Sequence, residues 1–159
     1  MTPAEFKTKW AKVTAKETAA YVEHFNDLCR MLGLPTPLEA DPSGEDFFCY
    51  QKGVIKDPGL LALAEGETPK QGFADVWRKD CFGWEYKGRH KNLGEAYEQL
   101  MLYRESLLNP PLMVVCDFDR YIIRTNFNGT VQEPHEFTKW SESTIPVWCL
   151  DGQAHDSEP

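Results

Sequence analysis

The sequence predicts an α/β fold, a mixed β-sheet flanked by helices and preceded by an N-terminal helical extension. Three observations predict it. Apolar residues recur at helical spacing near the N-terminus and again after residue 92, and short apolar and aromatic runs of strand length lie between and after these segments. With 159 residues, of which 42% are hydrophobic, the chain can bury a single core. We expect one domain over residues 1–150 and a disordered tail over residues 151–159.

Two helices are predicted at the N-terminus from their cap and stop signals. The segments Thr2-Pro-Ala-Glu5 and Thr14-Ala-Lys-Glu17 both have capping-box spacing, in which a glutamate at the third helical position bonds back to the cap. A short helix therefore precedes a longer one over residues 15–32, which a following glycine and proline terminate. Residues 35–45 are rich in proline, glycine and acidic side chains, so we expect a loop there.

The strands follow from short apolar runs bounded by turn residues. Residues 47–52 form the first predicted strand, and a connection with a helical turn around residues 60–64 leads to a hairpin. Beyond the next helix, residues 112–116 are expected to form a buried strand. Residues 120–126 would be its antiparallel neighbour or an edge strand.

The hairpin is predicted from the stretch Gly-Phe-Ala-Asp-Val-Trp-Arg-Lys-Asp-Cys-Phe-Gly-Trp-Glu-Tyr-Lys-Gly over residues 72–88, in which two apolar runs flank a polar break. If the loop has three residues centred on Asp80, residues equally distant from Asp80 face each other. Asp75 then lies opposite Glu85, with Cβ atoms about 4.5–5.5 Å apart. A two-residue turn would place Asp75 opposite Trp84 instead and break this arrangement.

Paired carboxylates at this position have a specific chemical consequence. Two carboxylates held that close repel each other unless a cation lies between them, and a divalent ion is the obvious choice. Because side chains alternate along a strand, Glu85 and Lys87 share one face while Tyr86 points to the other. Two acidic ligands beside an ammonium group suit hydrolysis of a phosphodiester. The alternative is that all three are solvated surface charges.

A helix is predicted directly after the hairpin. Asn92-Leu-Gly-Glu95 has the spacing of a capped N-terminus, and the helix is expected to continue to residue 108, where two prolines end it. Gln99 and Tyr103 are four residues apart and therefore share one face. The alternative for this pair is an ordinary amphipathic helix with a half-buried tyrosine.

This α-β-β-β-α-β order, with Asp75, Glu85-x-Lys87 and a later Gln-x-x-x-Tyr, resembles the PD-(D/E)xK (restriction-endonuclease-like) nuclease superfamily and its RecB-like branch. Residues from about 14 to 140 are similar to the N-terminal endonuclease domain of MmeI-type (type IIL) restriction-modification enzymes and of related defence DNA methyltransferases. The segments that carry this resemblance are His24-Phe-Asn-Asp-Leu-Cys-Arg-Met-Leu-Gly33, Gly72-Phe-Ala-Asp-Val-Trp77, Trp84-Glu-Tyr-Lys-Gly88, the helix with Gln99, and Val115-Cys-Asp-Phe-Asp-Arg-Tyr121 leading to Thr125-Asn-Phe127.

The resemblance implies a Mg²⁺-dependent DNA endonuclease with Asp75, Glu85 and Lys87 as cleavage residues and the Gln-x-x-x-Tyr pair in support. Mg²⁺, for which Mn²⁺ can substitute, would be held by the two carboxylates and the Tyr86 carbonyl. The expected partners are DNA and a methyltransferase and target-recognition domain in the same or a partner polypeptide. Two other functions stay open: a catalytically silent docking module of a large DNA methyltransferase, and a free-standing RecB-like repair nuclease.

Further charged residues have both functional and structural interpretations. Glu17 is a possible additional acidic residue of the metal site, although its capping role is a sufficient explanation. The segment Lys87-Gly-Arg-His-Lys91 places basic side chains directly after the metal ligands. Arg89 and Lys91 are possible phosphate contacts, and a solvated loop is the alternative.

Composition limits the other function classes. A formal net charge of −8 opposes strong DNA binding by this domain alone, which suits a cleavage module delivered by other domains. The five cysteines are odd in number and scattered within apolar runs, so we expect reduced, buried thiols in a cytoplasmic protein. The sequence shows neither a secretory signal nor a membrane span of about 20 apolar residues.

One motif resembles a different active site. Asn109-Pro-Pro-Leu112 is similar to the Asn-Pro-Pro-Tyr signature of adenine methyltransferases, but Leu112 cannot stack on a flipped base. A helix stop before a strand explains the segment better, and we expect no S-adenosylmethionine site within this chain.

Overall fold

A computed structural model of the chain describes residues 1–56, 65, 66 and 68–138. The helical turn expected at residues 60–64 and the tail expected at 151–159 lie outside the described residues. The helices are α1 (Pro3–Trp10), α2 (Glu17–Leu32), α3 (Pro37–Ala40) and α4 (Leu93–Leu102). The strands are β1 (Phe48–Lys56), β2 (Lys70–Arg78), β3 (Phe82–Tyr86), β4 (Leu112–Cys116), β5 (Arg120–Thr125) and β6 (Pro134–Thr138).

The described strands form one mixed sheet with the spatial order β1-β2-β3-β4-β5-β6. The β3–β4 pair is parallel and the other pairs are antiparallel. Strand β4 can run parallel to β3 because α4 carries the chain back between them. The α/β class and the element order from α2 to β4 are therefore confirmed. The antiparallel neighbour expected for β4 is β5, and β6 is a further strand that the sequence analysis did not predict.

The hairpin between β2 and β3 has the three-residue loop expected from the sequence. Val76 pairs with Trp84 and Arg78 pairs with Phe82, so positions equally distant from Asp80 face each other. Asp80 has φ 58°, a left-handed conformation that aspartate tolerates better than most residues. This register places the backbone of Asp75 at the level of Glu85.

The sheet separates two apolar cores. On one face, Trp84 and Tyr86 of β3 pack in the cluster that contains Phe25 of α2. On the other face, the cluster contains Leu100 of α4 and Met113 of β4. Glu85 lies between Trp84 and Tyr86 in β3, so its side chain points toward α4. The alternation predicted for Glu85 and Tyr86 is confirmed.

Three expectations for the segments before the hairpin were wrong. Helix α2 begins at Glu17 rather than residue 15, and its cap, Lys16, makes no side-chain hydrogen bond, so the capping box predicted at Thr14 does not form. The loop expected at 35–45 contains α3, at whose start the Thr36 N–H and hydroxyl both donate to the Glu39 carboxylate at 2.8 Å. Strand β1 continues to Lys56, four residues beyond its expected end.

Helix α4 ends at Leu102, six residues before the expected stop. Tertiary contacts outweigh helical propensity here. The Trp77 indole donates to the Leu107 carbonyl at 2.9 Å. The Ser106 hydroxyl bonds to the backbone N–H and C=O of Ile55 at 3.1 and 3.0 Å. These bonds hold the segment after α4 against the first two strands.

The four cysteines in the described part of the chain are free and buried, as expected for Cys29, Cys49, Cys81 and Cys116. Burial raises the pKa of the Cys29 thiol to about 12, so this thiol is unreactive at neutral pH. Cys149 lies outside the described residues. Among the helices that the structure describes, none has the length and apolarity to cross a membrane.

Candidate active site

The structure brings Glu85, Lys87 and Gln99 together on the α4 face of the sheet. The Lys87 ammonium lies 3.2 Å from Glu85 Oε1 and donates to Gln99 Oε1 at 3.1 Å. The Gln99 amide nitrogen donates to Glu85 Oε1 at 2.9 Å. One carboxylate oxygen therefore accepts two hydrogen bonds. The second oxygen, Glu85 Oε2, is buried and has no hydrogen-bond partner in the described part of the chain.

Asp75 lies where the β2–β3 ladder ends. The last paired residues are Val76 and Trp84. Beyond this pair, the Tyr86 N–H donates to a side chain of β2 instead of to its backbone: the acceptor is Asp75 Oδ2, at 2.7 Å. Its Oδ1 accepts from the Gln51 amide at 3.1 Å. The Asp75 carboxylate is thereby attached to the strand segment that carries Glu85 and Lys87.

Electrostatic interactions link the acidic side chains of the site. Burial, followed by the negative charge of Asp75, raises the pKa of Glu85 above its ordinary value, and Lys87 opposes the rise. Burial also raises the pKa of Asp75, against the hydrogen bond from Tyr86, and the charge of Glu17 raises it further. The site therefore holds more negative charge than its single lysine balances, which favours protons or a cation.

Glu17 belongs to this environment rather than to a helix cap. Burial raises the pKa of Glu17, while Lys87 and a hydrogen bond from the Gly88 backbone lower it. The first residue of α2 therefore lies against the chain that leaves β3, within electrostatic range of Asp75 and Glu85. The capping explanation for Glu17 was wrong. Its role as an additional acidic residue stays a prediction.

The donors present suit a hard divalent ion, which prefers oxygen ligands. Asp75 and Glu85 supply carboxylates, and Glu85 Oε2, which no described residue contacts by a hydrogen bond, is an acceptor that a cation would satisfy. No group of three His, Cys, Asp or Glu side chains in the described ranges is arranged to hold a metal ion. A metal here would depend on the two carboxylates together with a backbone carbonyl and water. The Tyr86 carbonyl as a ligand stays a prediction.

The Tyr86 side chain anchors β3 from the opposite face. Its hydroxyl lies 2.9 Å from His24 Nδ1, and the Tyr121 hydroxyl lies 3.0 Å from His24 Nε2. Burial lowers the pKa of His24 to about 3, so the imidazole is neutral and bridges two tyrosines. His24 is thus a satisfied core histidine.

Tyr103 supports the site through Gln99. Its hydroxyl accepts from the Gln99 amide nitrogen at 3.1 Å, and its ring is buried. Gly72 of β2 makes this position possible, because a Cβ atom there would lie 2.8 Å from the Tyr103 hydroxyl oxygen. Gly72 is part of the segment on which the family resemblance rests, but its sequence context alone did not indicate this contact.

Replacing Gly72 with alanine is expected to reduce both thermal stability and any activity of the site. The new methyl group would displace Tyr103 and, through it, Gln99; such overpacking costs about 1–3 kcal/mol. Gly53→Ala is the matched control, because a Cβ atom on Gly53 would have only an ordinary contact, 4.0 Å from the Phe73 ring. Thermal melts of both variants test this. Equal melting temperatures for the two would show that the close approach of Tyr103 to Gly72 is unimportant.

The two residues predicted to contact phosphate, Arg89 and Lys91, differ in burial and in hydrogen bonding. Arg89 is half-buried and bonds to the Asp119 carboxylate and the Trp10 carbonyl, so its guanidinium ties α1 to the turn before β5. Contact with phosphate would require it to leave these partners. Lys91 is exposed on the loop before α4 and makes no ion pair among the described residues. Phosphate contact by either residue stays a prediction.

Sequence reasoning missed Gln51 and Tyr21. The Gln51 amide nitrogen donates to the Tyr21 hydroxyl at 2.9 Å as well as to Asp75. Tyr21 is on α2, so the two residues connect that helix to the Asp75 carboxylate. A single glutamine in a predicted strand carries no signal for such a role.

Comparison of the chain with protein-family models, with curated proteins and with solved structures gives no match.

Proposed function

We propose that this chain is a metal-dependent nuclease domain of the PD-(D/E)xK type that hydrolyses DNA phosphodiesters. The observation that carries the proposal is the asymmetric environment of Glu85. One of its oxygens accepts from Lys87 and Gln99, while the other is buried and has no hydrogen-bond partner among the residues that the structure describes. Asp75 contributes a second negative charge beside it.

Burial argues against the alternative of solvated surface charges. Glu85 is only 4% exposed. Removing an ionised carboxylate from water is costly unless it is paired, and in the described part of the chain the Lys87 ammonium alone forms an ion pair with this acidic cluster. Clusters of buried groups with shifted pKa values are concentrated at functional sites. A site for a cation explains why the acids are kept together.

Each side chain has a distinct part in the proposed reaction. Asp75 and Glu85, with the Tyr86 carbonyl, would hold Mg²⁺. When bound, Mg²⁺ would supply a water of lowered pKa and neutralise charge that develops on the phosphate. Of the three N–H donors of Lys87, two are used by Glu85 and Gln99. The third has no acceptor in the described ranges, and in this proposal it orients the attacking water or stabilises the negative charge of the transition state.

Gln99 and Tyr103 hold Lys87 and Glu85 in place in this proposal. The Gln99 oxygen accepts from Lys87 and its nitrogen donates to Glu85 and Tyr103. The alternative placement of the amide would face its oxygen toward the carboxylate, so the network fixes its orientation. This gives the Gln-x-x-x-Tyr pair a physical function that an ordinary amphipathic helix would not require.

The proposed setting is the cleavage module of a cytoplasmic restriction-modification or phage-defence system. The net charge of −8 opposes approach of DNA at long range, so other domains would deliver the substrate. A methyltransferase and a target-recognition domain, in the same or a partner polypeptide, fit that requirement.

Metal titration and plasmid nicking test the proposal together. The wild-type chain is expected to bind Mn²⁺ in calorimetry and to nick supercoiled plasmid slowly in Mg²⁺, whereas an Asp75→Ala, Glu85→Ala double variant does neither. Fusion to a DNA-binding module should raise the wild-type rate by increasing effective concentration. A fusion that binds its DNA tightly in Mg²⁺ yet never cleaves would favour the silent docking module over the nuclease.

A further inference from the structure

Gln51 has an unusual backbone conformation for a residue inside a strand. Its φ is 52°, and it is the only non-glycine residue with positive φ within a described strand. A side chain in this left-handed region is strained, and such strain persists only where the surrounding structure imposes it. The pairs on either side, Tyr50 with Val76 and Lys52 with Ala74, place Gln51 at the level of Asp75.

Both strands reverse their faces at this level. In β1, Tyr50 packs against the core on the α2 side, whereas Val54, also even-numbered, belongs to the core on the α4 side. In β2, Val76 packs on the α2 side and Ala74 on the α4 side. Regular alternation would keep residues two apart on one face. The register is the same before and after, so Gln51 and Asp75 together form the point of reversal.

The reversal allows the Gln51 side chain to reach two groups at once. Its amide nitrogen donates to Asp75 Oδ1 at 3.1 Å and to the Tyr21 hydroxyl at 2.9 Å. The Tyr86 N–H occupies the other oxygen of Asp75 at 2.7 Å. Each oxygen of the Asp75 carboxylate therefore has one donor, and the carboxylate cannot rotate without losing both.

We propose that Gln51 is a positioning residue, whose strained backbone directs its amide to orient the Asp75 carboxylate toward the metal site. The inference rests on the proposed function for its chemistry, and it assigns to Gln51 and Tyr21 a role in the site. The strain is retained because a relaxed strand would turn the amide away from Asp75.

Two variants separate the effect of the backbone strain at residue 51 from the effect of losing its side-chain amide. Gln51→Ala and Gln51→Gly both remove the amide, but only glycine adopts positive φ without strain. Gln51→Gly is therefore expected to melt about 2–4 °C above Gln51→Ala. Both variants should bind Mn²⁺ about five- to tenfold more weakly than wild type, from the loss of one hydrogen bond to the carboxylate. Both should lower kcat for plasmid nicking roughly 10- to 100-fold with little change in KM.

Leu108→Gly is the matched control. Leu108 also has positive φ, at 63°, but its side chain is exposed and makes no contact with the site residues among those described. This variant should change the melting temperature without changing Mn²⁺ affinity or kcat. If the Gln51 variants keep wild-type Mn²⁺ affinity and kcat while the wild type cleaves, the inference is wrong and the nuclease proposal stands. If the wild type binds Mn²⁺ but never cleaves, and the Gln51 variants still bind it more weakly, the nuclease proposal is wrong and the positioning role stands.

Discussion

Replacing Lys87 with alanine is expected to abolish DNA cleavage while leaving most of the metal-induced stabilisation intact. The Lys87 ammonium contacts Glu85 and Gln99 and is proposed to act on the water and the transition state rather than to hold the ion. Loss of a preorganised group that stabilises developing charge typically costs 10²- to 10³-fold in rate. Because Lys87 lowers the pKa of Glu85 and of Asp75, its removal should also move metal binding to higher pH.

Plasmid nicking and thermal melts with and without millimolar Mn²⁺ measure the two effects separately. Lys79→Ala is the matched control, because Lys79 is exposed in the β2–β3 loop at the opposite end of the hairpin. Asp75→Ala should lose both cleavage and the melting shift. A Lys87→Ala variant that cleaves at the wild-type rate would exclude Lys87 from catalysis.

The hairpin and its register were predictable because local rules determine them. Two apolar runs, a three-residue break and an aspartate that tolerates positive φ set the register. The register then determined that Glu85 and Lys87 share a face and that Tyr86 lies behind them. The spacing of Gln99 and Tyr103 predicted their common face, and the structure adds the contacts that connect them to Glu85.

The remaining features depend on contacts between distant segments. Glu17 has perfect capping spacing with Thr14, yet it interacts with the Gly88 backbone, more than 70 positions away in the sequence. Helix α4 stops early because Trp77 and Ile55 bind the segment that follows it. The conformation of Gln51 breaks the alternation on which strand prediction relies. No local sequence pattern predicts any of these three features.

The raised pKa values of the carboxyl groups in the site also predict how the stability of the fold depends on pH. A carboxyl group whose pKa is raised on folding binds its proton more tightly in the folded state, so its contribution to stability is lost as pH rises. Glu85, Asp75 and Glu17 all shift in this direction. His24 acts oppositely. Burial lowers its pKa, so the stability of the fold decreases as pH drops below 6.5, the ordinary pKa of histidine.

Without metal, the wild-type chain is therefore expected to lose stability between about pH 6.5 and pH 8, where, of these four described groups, the carboxyl groups still contribute and His24 does not. Glu85→Gln removes one buried charge, so its free energy of unfolding should exceed that of the wild type at pH 8, and the difference should shrink toward pH 5. Comparing the two chains cancels the contribution of His24.

Urea denaturation between pH 5 and pH 8 measures the difference in the free energy of unfolding, and Glu98→Gln, at an exposed position of α4, is the control for loss of a carboxylate. Millimolar Mg²⁺ should raise the free energy of unfolding of the wild type at pH 8 and leave that of Glu85→Gln unchanged, since only ionised Glu85 binds the ion. Parallel pH profiles for wild type and Glu85→Gln would show that Glu85 is ionised at little cost, and the argument for a cation at this site would fail.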